Sequence, residues 1–217
     1  MKRIGHAVLF LCLVGALAVV PASADTTLYD NTGPTSNGGS GIGAWTINLG
    51  YAVSDSFTLP SSSTVTSANF LIWLYSGDTL SSVDWSIGTS AFDTSIGAAT
   101  AATSSLSQTN SGLFGSYNIF NESISIPSLS LGAGTYWFTL QNAVVSNVYD
   151  PAYWDISNGP SDAWENSLGD VNGYDGYSGS NSETFQILGT TPEPSSFLLL
   201  GSGLLGLAGL IKRKLTA

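Results

Sequence analysis

Apolar side chains recur at every second position over much of the chain, and this period is the strongest constraint on its fold. Val83, Trp85 and Ile87 alternate with polar residues, as the two faces of a β-strand require. The same alternation, with β-branched and aromatic residues, predicts further strands at 52–59, 68–74, 120–126, 136–141, 152–157 and 183–188. No comparable stretch between the termini has helical spacing. The sequence therefore predicts an all-β domain.

Turn-forming residues separate these strands, with Gly, Asn, Asp or Ser at 37–39, 76–78, 131–134 and 172–173. Seven or more short strands between such turns favour an antiparallel, jelly-roll-like β-sandwich. A β-helix would need a repeat of constant period. Two stretches show little alternation of apolar and polar residues. We expect 88–112 to be a long loop or weak edge strands, and much of 150–182 to be a loop.

Basic residues are confined to the two ends of the chain. All five Lys and Arg, with the only His, Cys and Met, lie within 1–24 or 212–214, whereas residues 25–191 hold every acidic residue except Glu193. Fourteen acids without a base give this region a formal charge of −14. It cannot form a Ser-His-Asp triad, a thiolate nucleophile, a Schiff base or a histidine zinc site. Nucleic acid is excluded as a partner because phosphate binding relies on Lys and Arg.

The segment 150–182 is the candidate binding region because it combines aromatic and acidic residues. Tyr153, Trp154, Asp155 and Trp164 are candidates for a carbohydrate surface, in which rings contact the sugar and a carboxylate binds its hydroxyls. The alternative is that these rings anchor the segment to the core.

A calcium site is a second hypothesis for this segment. Asp170, Asn172 and Asp175 supply the hard oxygen ligands that calcium prefers, although the glycine and the final glutamate of an EF-hand are not in place. Solvated turn acids are the alternative. No other cofactor is expected.

We assign no catalytic residue and expect the protein not to be an enzyme. The enzyme class that the composition leaves open is a glycoside hydrolase, which can work with two carboxylates alone. Asp84, Asp155, Asp162 and Glu165 are the conceivable pair members.

The N-terminus has the pattern of a secretory signal. Lys2 and Arg3 precede an apolar stretch at 7–20, and small residues end at Ala24. We expect a signal helix over 1–24, cleavage by signal peptidase between Ala24 and Asp25, and an ectodomain over 25–191.

The C-terminal segment 192–217 has three parts in order. Pro192, Glu193 and Pro194 precede an apolar stretch at 197–211, which is followed by a basic end. We expect the stretch to be a transmembrane helix of about 22 Å, shorter than the roughly 30 Å hydrocarbon core. The basic end would remain cytoplasmic and set the topology. Its residues are Lys212, Arg213 and Lys214.

This order of parts resembles the PEP-CTERM sorting signal of Gram-negative bacteria, a tail that is sometimes labelled as an ice-binding protein C-terminal domain. The resemblance implies recognition by an exosortase, a membrane transpeptidase-like enzyme that would cut near the motif. It also implies transient anchoring in the inner membrane, followed by transfer to the cell surface or extracellular matrix. Such tails occur on proteins linked to exopolysaccharide and biofilm production.

The ectodomain is similar to an uncharacterised β-rich family of such exported proteins, through its residues at 28–31, 53–57, 77–80, 83–85 and 134–137. This resemblance implies no activity. The leading hypothesis is therefore a non-enzymatic cell-envelope or matrix protein with a structural or exopolysaccharide-binding ectodomain. The rival is a secreted glycoside hydrolase.

Overall fold

The computed structural model describes residues 25–31, 43–102, 106–167, 170–173, 182–192, 201 and 203. The predicted signal helix, nearly all of the predicted transmembrane helix at 197–211 and the basic end at 212–214 lie outside these residues. Among the described residues, no helix has the length and apolar character needed to cross a membrane. The strands within the described residues are β1 (Thr26–Asp30), β2 (Ala44–Thr46), β3 (Tyr51–Leu59), β4 (Ser63–Tyr75), β5 (Leu80–Gly88), β6 (Gly97–Ala102), β7 (Leu106–Phe114), β8 (Tyr117–Leu131), β9 (Gly134–Val145), β10 (Tyr153–Ser157), β11 (Ala163–Ser167), β12 (Asp170–Gly173), β13 (Ser182–Glu183) and β14 (Phe185–Thr190).

The first sheet has eight strands and is organised around β4. On one side, β8 pairs with β4 over its whole length, and β7 lies outside β8. On the other side, β14 pairs with the first part of β4 and β10 with Ile72 and Trp73. Strand β1 flanks β14, β2 flanks β10, and β13 pairs with the end of β10. Strands β14 and β10 therefore lie end to end along the same side of β4.

The second sheet has six strands in the order β12, β11, β3, β9, β5, β6. Every pairing in both sheets is antiparallel. The prediction of an all-β domain with antiparallel sheets is confirmed.

The two sheets pack face to face around a shared apolar core. Phe70 of β4 and Phe138 of β9 have ring centroids 6.3 Å apart, and the indole of Trp154 contacts both rings. Alternate residues of β4 face this core, including Ile72 and Leu74. Burial of such large side chains is the main stabilising contribution available to a domain without internal ion pairs.

The two poorly alternating stretches form strands as well. The stretch 88–112 contains β6 and part of β7, at the edges of the two sheets, which confirms the edge-strand alternative. The loop expected over much of 150–182 was wrong in part, because β11 and β12 extend the second sheet beyond β3. An edge strand pairs through its backbone and needs little apolar alternation.

Candidate functional site

Four aromatic side chains form a cluster on the outer face of the first sheet, and we call them the tyrosine cluster: Trp73, Tyr75, Tyr117 and Tyr153. Trp73 and Tyr75 occupy the alternate positions of β4 that point away from the core. Tyr117 lies directly opposite Tyr75, and Tyr153 lies opposite Trp73 on the neighbouring β10. The pairing register of three strands therefore brings the four rings together.

The rings contact one another while the tyrosines remain partly open to solvent. Tyr75 and Tyr117 stack with centroids 4.8 Å apart, and Tyr117 lies 5.9 Å from Trp73 and 5.6 Å from Tyr153. The Tyr75 and Tyr117 hydroxyls are hydrogen-bonded to each other at 3.3 Å, and this pairing raises the pKa of Tyr75. All three tyrosines are half-buried, whereas Trp73 is buried.

A buried carboxylate holds Trp73 in place. Asp155 Oδ1 accepts a hydrogen bond from Trp73 Nε1 at 2.7 Å, and Asp155 Oδ2 accepts one from Thr184 Oγ1 at 2.8 Å. Asp155 is fully buried. Its role in this geometry is to orient the indole beneath the tyrosines.

The four predicted sugar-binding residues do not share one surface. Tyr153 belongs to the tyrosine cluster, and Asp155 supports it from within. Trp154 is wholly buried in the core, where its Nε1 donates to the Thr184 carbonyl at 2.9 Å. Trp164 is 36% exposed but lies on β11 of the second sheet. Consecutive residues of a strand point to opposite faces, so Tyr153 and Trp154 cannot lie on one platform.

Three further apolar side chains are exposed on loops at the end of the domain where the tyrosine cluster lies. Leu49 is 53%, Val148 62% and Tyr149 85% exposed. The loop that carries Val148 and Tyr149 is tied to the turn after β4, because Ser146 Oγ donates to Asp78 Oδ1 at 2.8 Å. These loop residues have no alternating pattern that could have predicted their place near the turn after β4.

The predicted calcium ligands fall at the limit of the described residues. Asp170 and Asn172 lie on β12, but their side chains, like the whole of Asp175, are outside the described part. The calcium hypothesis for them stays a prediction. Over the residues that are described, no group of three or more His, Cys, Asp and Glu side chains is arranged to hold a metal ion.

The candidate glycosidase carboxylates lie on different elements. Asp84 Oδ2 on β5 accepts a hydrogen bond from the Asn142 amide at 2.9 Å. Asp155 accepts its hydrogen bonds from Trp73 and Thr184 beneath the tyrosine cluster. Asp162 is exposed before β11. Glu165, on β11, has a pKa that is raised by burial. A hydrolytic role for any pair stays a prediction.

A second polar site lies inside the sandwich, and we call it the interior oxygen network: Asn31, Asp55, Ser161, Ser182 and Glu183. Asn31 Nδ2 lies 2.6 Å from Ser161 Oγ, 2.8 Å from Ser182 Oγ, 2.8 Å from the Glu183 carbonyl and 3.4 Å from Asp55 Oδ2. Asp55 Oδ2 also accepts from Ser161 Oγ at 2.9 Å and from the Glu183 amide at 2.6 Å. All five residues are buried. The network links β3 and β13 to the end of β1 and the loop before β11.

The acids of this network are hard to ionise in place. Burial raises the pKa of Asp55 to about 7, although hydrogen bonds from the Glu183 amide and the Ser161 hydroxyl lower it. Burial, followed by repulsion from Asp55 and Asp155, raises the pKa of Glu183 well above its usual value. The sequence held a signal for Asp55, because it shares its strand face with Val53 and Phe57. That alternation places a carboxyl group in the core.

Comparison with known proteins identifies the tail. Residues 190–214 match the family model described as the PEP-CTERM protein-sorting motif, and no curated protein matches the chain. The resemblance drawn for the tail is confirmed, and the one drawn for the ectodomain stays a prediction. Pro192, the first residue of the Pro-Glu-Pro segment, is exposed just after β14. The motif implies an exported protein that passes through a membrane and is processed by an exosortase.

Proposed function

We propose that the protein is a cell-envelope or extracellular-matrix component whose domain binds extracellular polysaccharide at the tyrosine cluster, without being an enzyme. The observation that carries this proposal is the cluster itself, in which two half-buried tyrosines, Tyr75 and Tyr153, each contact the half-buried Tyr117 on an outer sheet face. A tyrosine ring offers an apolar face to the C–H groups of a sugar and a hydroxyl to its polar rim.

The proposed route joins both ends of the chain. Signal peptidase releases residues 1–24, and the helix at 197–211 holds the chain in the inner membrane of a Gram-negative bacterium with Lys212, Arg213 and Lys214 in the cytoplasm. An exosortase then cuts near Pro192, Glu193 and Pro194, and the jelly-roll-like ectodomain passes to the surface or the biofilm matrix. The match of 190–214 to the sorting motif supports this route.

The position of the cluster suits a displayed binding surface. Thr190, which leads into the sorting motif, pairs with Thr64 near the start of β4, whereas Tyr75 ends that strand. Eleven residues at 3.3 Å each separate Thr64 from Tyr75 by about 36 Å along the strand. The cluster therefore lies at the end of the sheet remote from the tail.

The negative charge of the domain restricts the class of polysaccharide that it can bind. Every ionised side chain of residues 25–191 is negative, so an acidic polysaccharide would be repelled. We therefore propose a neutral or amino-bearing polysaccharide as the ligand.

Binding is tested with the full chain purified in detergent, by affinity electrophoresis through gels that contain neutral, amino-bearing or acidic polysaccharides. We expect retardation in the first or second gel, and at least a tenfold weaker effect for Tyr75→Ala and Tyr117→Ala. Trp164→Ala is the matched control, because it removes an exposed ring from the other sheet. Equal retardation of all variants, or none of the wild type, would contradict the proposal.

The rival activity is checked with the same polysaccharides. If the protein were a glycoside hydrolase, incubation would release new reducing ends, and Asp155→Asn or Glu165→Gln would abolish the release. We expect no release from the wild-type chain.

The sorting route is tested in the producing cell by replacing Pro192, Glu193 and Pro194 with alanine while the apolar and basic segments stay intact. We expect an unprocessed protein that remains in the inner membrane. A second variant that lacks 192–217 should be released without a membrane stage. Normal processing of the alanine variant would overturn the assignment of the motif.

A further inference from the structure

The interior oxygen network places acids where the chain can supply no positive charge. Asp55 and Glu183 have exposed fractions of 0% and 1%, and residues 25–191 contain no Lys, Arg or His. A buried carboxyl group in an ordinary domain is paired with a cationic side chain, bound to a metal or kept protonated. The first of these solutions does not exist within residues 25–191.

Hydrogen bonding does not satisfy the network. The Asn31 amide nitrogen has two hydrogens but lies within 3.4 Å of four oxygens, and the Ser161 and Ser182 hydroxyls are in close contact with each other. Three further oxygens of the network, all buried, receive no hydrogen bond from the described residues. These are Asn31 Oδ1, Asp55 Oδ1 and Glu183 Oε2. With both carboxyl groups ionised, the network therefore has more acceptors than donors.

We propose that the interior oxygen network binds one divalent cation of the calcium class. Such cations take six to eight oxygen ligands, mainly from carboxylates and carbonyl groups. A carboxylate oxygen of Asp55, the main-chain carbonyl of Glu183 and the hydroxyls of Ser161 and Ser182 surround the Asn31 amide nitrogen. Asp55 would supply its carboxylate and Glu183 its main-chain carbonyl. A half-turn of the Asn31 amide exchanges its nitrogen and oxygen and presents Oδ1 to the same oxygens.

The surrounding chain keeps Asn31 in the network. A Cβ atom at Gly159 would lie 1.4 Å from Asn31 Oδ1, so the loop before β11 closes over Asn31 only because position 159 is glycine. Tyr29 lies close enough to Ser161 and Asp55 for both to influence the pKa of its hydroxyl, which burial raises. A cation here would join the end of β1, the interior of β3 and the strand that leads into β14.

The ligand set predicts moderate affinity. The site has few carboxylates and several neutral oxygens, and extracellular calcium modules of this kind have dissociation constants of about 0.1–1 mM. This site differs from the one predicted at Asp170, Asn172 and Asp175, so variants can separate the two.

The first test measures the melting temperature of the full chain in detergent, in EDTA and at calcium chloride concentrations up to 5 mM. We expect a rise of several degrees, as for any ligand that binds the folded state alone. Asp55→Asn should abolish the rise, and Asp93→Asn, the same change in an exposed loop, should preserve it. No rise in the wild type, or a rise lost in Asp175→Asn but kept in Asp55→Asn, would overturn the proposal.

A second measurement covers the case in which Asp55→Asn does not fold. Terbium replaces calcium and emits light when a nearby tyrosine absorbs, so Tyr29 should sensitise terbium bound in the network. Asn31→Asp adds a carboxylate and should shift the terbium titration to lower concentration, whereas Ser161→Ala should shift it to higher concentration. Titrations that coincide for the wild type and both variants would overturn the site.

Discussion

The carboxylate of Asp93 organises the loop between β5 and β6. Its Oδ2 accepts from the Thr89 amide at 2.9 Å and from the Ser95 hydroxyl at 2.7 Å, and its Oδ1 accepts from the Ser95 amide at 2.9 Å. These bonds, the Ser95 hydroxyl first, lower the pKa of Asp93 from 3.8 to about 2. Because the folded-state pKa is depressed, the contribution of Asp93 to stability is present above pH 3.8 and lost as pH falls through about 2.

We therefore expect Asp93→Asn to lower the melting temperature at pH 6 and to have a smaller effect at pH 2. Ser95→Ala serves as the control, since loss of the hydroxyl should raise the pKa of Asp93 in an NMR titration. A difference between wild type and Asp93→Asn that is equal at both pH values would refute the assignment.

Individual residues of the site could be predicted only where their strand face was known. Ala152, just before β10, continues the apolar face that Trp154 and Ile156 form within it, and this pattern alone could have placed Trp154 in the core and Tyr153 outside. Trp73 and Tyr117 are far apart in sequence and meet only through the pairing of β4 with β8. Local patterns cannot supply that register.

At the scale of elements, strands with large apolar residues at alternate positions were predictable, and strands without them were not. The alternating pattern located β5 and β9, because burial of one strand face requires apolar residues at every second position. Strand β11 was missed because its inward position opposite Val53 carries Glu165, and β12 was missed because it is short and rich in turn-forming residues. Pairing with a neighbour formed both strands despite their composition.

The pairing of β14 with β4 requires a glycine. A Cβ atom at Gly189 would lie 1.9 Å from the Thr64 carbonyl oxygen, beside the irregularity in register between Leu188 and Gly189. We expect Gly189→Ala to lower the free energy of unfolding by about 1–3 kcal/mol, the usual range for overpacking, as measured by urea denaturation.

Gly132→Ala is the matched control for that substitution. The nearest atom to its Cβ would be the Tyr136 hydroxyl at 3.9 Å, an ordinary contact, so the change should stay within about 0.5 kcal/mol. An equally small change in the free energy of unfolding at both positions would show that β14 can move away from β4 without loss of stability.

At the scale of the molecule, the segregation of basic residues predicts resistance to trypsin. Cleavage sites exist only within 1–24 and 212–214, so the unfolded chain should keep a single large fragment. Electrophoresis after digestion in urea should show this fragment, whereas chymotrypsin under the same conditions should degrade it. Internal tryptic fragments would contradict the sequence itself.

The same segregation makes the folded domain repel itself. Fourteen acids with no base come closer together on folding, and this repulsion destabilises the compact state. Salt reduces the range of the repulsion, because the Debye length falls from about 10 Å at 0.1 M to about 3 Å at 1 M. We expect the melting temperature in EDTA at pH 7 to rise with sodium chloride from 10 mM to 500 mM. At pH 3, where most carboxylates are protonated, the rise should largely disappear, and a fall at pH 7 would show that self-repulsion does not limit stability.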